Sequence, residues 1–155
     1  MFINFKVLGE PYGKKNMKPL DRGKYLSMYS PSENKNYMAK VLTAFQNKYP
    51  LNTRFADDEM IVCTIKAYFT IPKSTSKKKT IQMINQEIRP TKRCDCDNIS
   101  KVILDALNKI VFRDDSQIIS EKIDKFYTDI TPFVEVILES YEPYKHFREN
   151  MQDSN

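Results

Sequence analysis

The stretch over residues 59–71 alternates apolar and polar side chains: Ile61, Cys63, Ile65, Ala67, Phe69 and Ile71 fall on one face, and Thr64, Lys66 and Thr70 on the other. A period of two belongs to a strand, and Pro72-Lys73-Ser74 closes it. A strand with one fully apolar face needs paired neighbours and a covering layer. The rest of the chain supplies both. Ile3, Phe5 and Val7 alternate with Asn4 and Lys6, which predicts a strand over 2–8. Residues 117–127 and 132–140 predict two more strands, joined near Asp129–Pro132. Ser30-Pro31-Ser32-Glu33 is a capping box with proline at the first helical position, and Tyr37, Met38, Val41, Leu42, Phe45 and Tyr49 then recur at three and four. A helix over about 31–48 follows. The stripe Ile99, Val102, Ile103, Ala106, Leu107, Ile110 predicts a second helix over about 98–109, with Asp97 as its N-cap. Gly9 to Tyr29 reads as a loop, and the basic segment 73–93 as polar chain, partly helical around 76–86. The order is β-α-β-α-β-β: a single α+β domain over 1–142, with a small mixed sheet and two helices packed on it. Residues 143–155 are expected to fray.

Composition narrows the class. No apolar stretch approaches a membrane span, and the N-terminus alternates where a signal peptide would be continuously apolar, so a cytoplasmic location is expected. Cys63, Cys94 and Cys96 make an odd count, which does not suggest a disulfide framework, and with His146 as the single histidine there is no plausible zinc spacing. Charge is unevenly spread. Residues 1–50 carry nine Lys/Arg against three acids, residues 73–93 seven against one, and residues 94–155 seven against thirteen. Two basic segments before an acidic half suit a polyanion such as nucleic acid. The candidate phosphate contacts are Lys14, Lys15, Lys18 and Arg22 in the first loop, and Lys73, Lys77, Lys78 and Lys79 in the second. Tyr12 and Tyr25 are candidates for stacking on opened bases.

The acidic half holds Asp95-Cys96-Asp97-Asn98, then Lys101 and Asp105, then Asp114-Asp115. In extended chain Asp95 and Asp97 would point the same way. If residues 111–120 return as a strand edge, Asp114 and Asp115 are expected to reach the same pocket. Carboxylates gathered so closely raise one another's pKa unless a cation is present, and an oxygen-only set suits Mg²⁺ or Mn²⁺. Lys101, four residues after Asp97 on one helix face, could orient a carboxylate or neutralise charge on a reacting phosphate. Taken singly, each residue has a plainer reading: Asp97 as a cap, Asp114-Asp115 as a turn, Lys101 as an i,i+4 partner of Asp97 and Asp105.

The combination Asp95-x-Asp97-Asn98-x-x-Lys101-x-x-x-Asp105-Ala106-Leu107-Asn108, followed by Asp114-Asp115-Ser116-Gln117-Ile118, resembles the RusA family of Holliday-junction resolvases. Gly9-Glu10-Pro11, the Lys14-Lys15 loop, Tyr25 and Ile71-Pro72-Lys73-Ser74 extend the likeness over most of the chain. The resemblance implies a small α+β homodimer that binds four-way DNA junctions and nicks two opposed strands with Mg²⁺, in recombination and repair. It makes Asp95, Asp97 and Asp115 the metal ligands, Lys101 the catalytic lysine, and Asp114 a residue supporting the site. Genes of this family are often carried by phages and prophages. The chain departs from the pattern at Cys94, where many relatives have proline, and at Lys109, where many have the glycine that gives the helix a left-handed exit; Asn108 is expected to serve instead. Two rival readings are a DNA-binding module without catalysis and a metal-dependent nuclease of flaps or forks.

Overall fold

The computed structural model describes residues 1–143 apart from Arg22, Lys24 and Tyr25, with the side chains of Asp21 and Leu26 also left aside. The expectations for Arg22, for Tyr25 and for the tail from 144 onward lie outside the described residues.

Four strands form one mixed sheet in the order β1-β6-β4-β5: β1 (Phe2–Leu8), β4 (Ile61–Thr70), β5 (Ile118–Thr128) and β6 (Phe133–Ser140). The β1–β6 and β6–β4 pairs are antiparallel, and β4 runs parallel to β5. Register follows the alternation. Ala67 pairs with Val134 and Ile65 with Val136, so apolar side chains from both strands share one face. On that face Ile61, Cys63, Ile65 and Ala67 are fully buried, with Ile3, Val134, Val136 and Leu138 beside them.

Two helices cover the apolar face. Helix α1 (Ser32–Gln46) buries Asn34, Tyr37, Val41 and Phe45, and α3 (Cys96–Leu107) buries Ile99, Val102, Ile103, Ala106 and Leu107. The shorter α2 (Lys77–Ile84) is capped by the Ser76 side chain and packs beside β5. It lies within the basic segment where partial helix was expected. One expectation is corrected: the loop over 9–29 contains a hairpin, β2 (Lys18–Asp21) with β3 (Leu26–Tyr29), paired as a separate two-stranded sheet. With four residues per strand and Leu20, Met28 and Tyr29 exposed, its register leaves no apolar signature in the sequence.

The exit from α3 differs from expectation as well. Asn108 is extended, at φ −58° and ψ 136°, and Lys109 takes the left-handed conformation itself, at φ 64°. A residue with a Cβ is strained there. The turn persists because Val111 and Phe112 must be buried immediately afterwards.

Candidate active site at the mouth of the third helix

Helix α3 begins two residues earlier than its apolar stripe indicates. Asp95 is the N-cap residue, extended at φ −68° and ψ 151°, and its carbonyl accepts from the Ile99 N–H at 3.1 Å. A polar first turn carries no periodicity, so the sequence pattern could not register it. Asp97 is therefore inside the first turn instead of capping it, and the two-residue alternation expected of Asp95 and Asp97 does not apply. The Asp95 carboxylate makes no capping hydrogen bond and both aspartates are exposed, which places two carboxylates in reach of solvent at the positive end of the helix dipole.

Lys101 Nζ donates to Asp97 Oδ2 at 3.0 Å, as the i,i+4 spacing predicts. That hydrogen bond, with the charge beside it, holds the Asp97 carboxyl below its ordinary range. With the side chains 59 % and 61 % exposed, the pair adds little to stability and is easily exchanged for another partner.

The Lys14-Lys15 loop docks against this mouth. A Cβ on Gly13 would lie 2.6 Å from the Cβ of Cys94, so only glycine permits the approach. The Lys14 N–H donates to the Asn98 carbonyl at 2.8 Å, and the Lys14 ammonium pairs with Asp105. Lys15 pairs with Glu33 at 2.9 Å; the hydrogen bond raises the lysine and lowers the glutamate from their usual values. Lys14, Lys15, Asn16, Met17, Asn98 and Lys101 together line a groove of about 230 Å³ with three ammonium groups on its walls. Cys94 lies against Gly13, and its thiol is pushed up by burial.

Asp114 and Asp115 occupy a different place. Asp114 caps a single 3-10 turn over Asp115–Gln117, its carboxylate accepting from the Ser116 N–H at 3.0 Å. The Ser116 hydrogen bonds hold it below the ordinary range. Gln117 closes the reciprocal half of this box, its Oε1 accepting from the Asp114 N–H at 3.4 Å and, more closely, from the Arg113 N–H at 2.8 Å, while Nε2 donates to the carbonyls of Ala56 at 2.8 Å and Glu59 at 2.9 Å. The turn is thus anchored at the start of β4, next to the Ile61–Ile118 pair. The aspartates at 95 and 97 belong to the other end of the sheet. Arg93 stacks over the Phe69 ring at 5.7 Å, and Lys125 Nζ reaches the Cys94 carbonyl at 3.2 Å, while further along α3 Ser100 meets Glu121. Strand β5 therefore runs antiparallel to α3. Eight strand steps between residues 61 and 69 make the two ends roughly 25 Å apart. Asp115 does not join Asp95 and Asp97 within one chain, contrary to expectation, and among the described residues no three Asp, Glu, His or Cys side chains gather as a metal-binding group. The chain does return as an edge strand after α3, but it has to travel the helix length to do so.

The remaining basic candidates are exposed. Lys18 opens β2, Lys73 lies in the turn after β4, and Lys77, Lys78 and Lys79 fill the first turn of α2. Three ammonium groups in a first turn oppose the helix dipole, a conflict that a bound anion relieves.

The family model described as endodeoxyribonuclease RusA matches residues 9–139. The chain belongs to the RusA endodeoxyribonuclease family. The matched span takes in the Lys14-Lys15 loop, the mouth of α3 and the Asp114–Gln117 turn. The RusA family acts on branched DNA as endonucleases. The chain is also similar to the uncharacterized protein YqaN of Bacillus subtilis (strain 168), at 33% identity over 138 residues, covering 88% of this chain and 94% of that protein. No described helix is long and apolar enough to cross a membrane.

The structural roles of three residues around this site leave little or no trace in the sequence. Asn34 is fully buried on the apolar stripe of α1, and a polar residue at a core position of an amphipathic helix was the available signal. Asp105 is the partner of Lys14, a contact that spans 91 positions and leaves no local trace. Gln117, a residue of the quoted motif, is the anchor of the acidic turn, a role signalled by its place three residues after Asp114.

Proposed function

We propose that this RusA-family chain is a Mg²⁺-dependent endodeoxyribonuclease that resolves four-way DNA junctions by paired nicking, working as a homodimer. The observation that carries the reading is the pair of exposed carboxylates at the start of α3, Asp95 and Asp97, the second of them paired with Lys101 of the three-lysine groove. Mg²⁺ is commonly held by one or two carboxylates together with waters and a substrate phosphate, so Asp95 and Asp97 fit it, and Mn²⁺ as well. When bound, the ion supplies a water of lowered pKa and Lewis-acid polarisation of a phosphoryl oxygen. The protein's part is positional. Lys14 and Lys15 seat a backbone phosphate in the groove, and Lys101 exchanges Asp97 for the developing charge on the phosphate. Hydrolysis would leave a 5′-phosphate and a 3′-hydroxyl.

Asp115 is read as the third ligand, and its position at the far end of the sheet favours supply from a second copy. A two-fold axis that brings one copy's Asp115 to the other's Asp95 and Asp97 repeats the same contact twice, giving two sites for two opposed strands. Asp114 would hold the turn in place.

The test uses a synthetic four-way junction beside a fork, a flap and a linear duplex, each with and without Mg²⁺. Metal-dependent paired nicks specific to the junction are expected; cleavage of the fork or flap in preference would replace the junction with another branched substrate. Asp97→Asn and Asp115→Asn should each abolish cleavage with junction binding kept. Mixing the two inactive variants should restore nicking of one strand, because the heterodimer assembles one intact site. Inactivity of the mixture, with heterodimers present, would return the third ligand to the same chain.

A further inference from the structure

The groove is walled by Asn98 and Lys101 of α3 on one side and by a loop on the other, and loops of lysine, asparagine and methionine do not hold their own shape. This loop is bolted down by one buried side chain. Asn34, fully inaccessible in the first turn of α1, uses every polar atom of its amide. Its Oδ1 accepts from the Tyr12 hydroxyl at 2.8 Å and from the Lys15 N–H at 2.9 Å, and its Nδ2 donates to the Lys15 carbonyl at 2.9 Å and to Ser30 Oγ at 3.1 Å. Both backbone groups of Lys15 are thereby engaged by one amide, as a neighbouring strand would engage them. An amide on a stripe shared with Tyr37, Val41 and Phe45 is costly to bury unless fully paired, and a leucine would pack there without that requirement.

We propose that Asn34 is the positioning residue for phosphate binding: by clamping the backbone of Lys15 to α1, it holds Lys14 and Lys15 convergent with Lys101 around a groove preformed for a DNA backbone phosphate. Asp105 completes the arrangement from the other side, since its pairing with the Lys14 ammonium, together with the bond from the Lys14 N–H to Asn98, fixes that lysine against α3. The ordering of the loop is thus made during folding and not at the moment of binding, which removes an entropic cost from association. The proposal rests on the reading of the groove as a DNA contact.

The experiment is binding of a fluorescein-labelled four-way junction to the full chain in EDTA, across a series of KCl concentrations, for the parent, Lys14→Gln/Lys15→Gln, Asn34→Ala, Asn34→Asp, and Asn34→Ala in the double-lysine background. Losing two phosphate contacts should flatten the slope of log Kd against log salt by about two for the lysine pair. Asn34→Ala, with both lysines intact, should flatten it by about one or more and weaken binding about tenfold at low salt. On the double-lysine background it should change Kd by less than about twofold, because the two perturbations act through the same contacts. Asn34→Asp keeps the acceptor half of the clamp and should fall between parent and Asn34→Ala; if Asn34→Ala does not fold, Asn34→Asp is judged by the same slope. A parental slope in the Asn34 variants, or an equal loss in both backgrounds, overturns the positioning role. An unchanged slope in the lysine pair overturns the DNA-contact reading itself.

Discussion

Gln117 is the residue on which the acidic turn most visibly depends, and its removal gives a quantitative test. Replacing it with alanine deletes three well-formed hydrogen bonds: the acceptor for the Arg113 N–H and the two donors to Ala56 and Glu59. The fourth, from the Asp114 N–H at 3.4 Å, is long and adds little to the sum. The residue is half-buried, so each bond is taken near the low end of the usual net value, about 0.5–1 kcal/mol, for a total of ~2 kcal/mol. For a chain of this size that is a fall in Tm of roughly 4–8 °C. Urea unfolding followed by circular dichroism should show the midpoint shifting at constant slope. Gln117→Glu separates the contacts, because it keeps the acceptor for Arg113 but turns a carboxylate oxygen towards two carbonyls. That environment raises the carboxyl's folded pKa, so the folded state binds the extra proton. The variant's deficit must then be large at neutral pH and shrink as pH falls into the carboxylate range. Cleavage should fall in both variants, since Asp115 is held by this turn. An alanine variant within 1 °C of the parent, or a glutamate variant whose deficit does not depend on pH, would refute the anchoring argument.

Glu59 is held below the ordinary carboxylate range by hydrogen bonds from the Ser140 hydroxyl and the Ala56 N–H and by the terminal ammonium, so its stabilisation is present above that range and lost as pH falls through the lowered value; Glu59→Gln should flatten the acid limb of a stability–pH curve. Cys63 is fully buried and its thiol is pushed far up by desolvation, so in the native chain at pH 7.5 a thiol reagent should modify Cys94 and Cys96 at most, and all three in urea. Lys109→Gly should stabilise the chain by about 0.5–1 kcal/mol, the left-handed strain relieved outweighing the entropy glycine adds to the unfolded state, as read by urea midpoint.

The sheet was legible because its strands are buried on one face, which forces alternation: Ile61 to Phe69 and Val134 to Leu138 announce both the strand and its register. The long helices were legible for the same reason at a different period. What the sequence did not reveal is polar or local. The β2–β3 hairpin buries too little to leave a pattern. The start of α3 is a polar turn whose apolar stripe begins only at Ile99, so periodicity points to Asp97 as the cap where the helix uses Asp95.

The placement of Asp115 has another cause. Motif spacing records how many residues separate two groups, and a ten-residue gap after Asp105 is long enough to fold back or to run on. The choice is made by tertiary contacts: Gln117 finding the carbonyls of residues 56 and 59, and β5 pairing parallel to β4 from Ile61 onward. A parallel partner for β4 has to enter at the same end as β4 does, and that end is remote from the mouth of α3. The strand direction that fixes the fold is therefore what separates Asp115 from Asp95 and Asp97, and it is why the proposed shared site draws on a second copy of the chain.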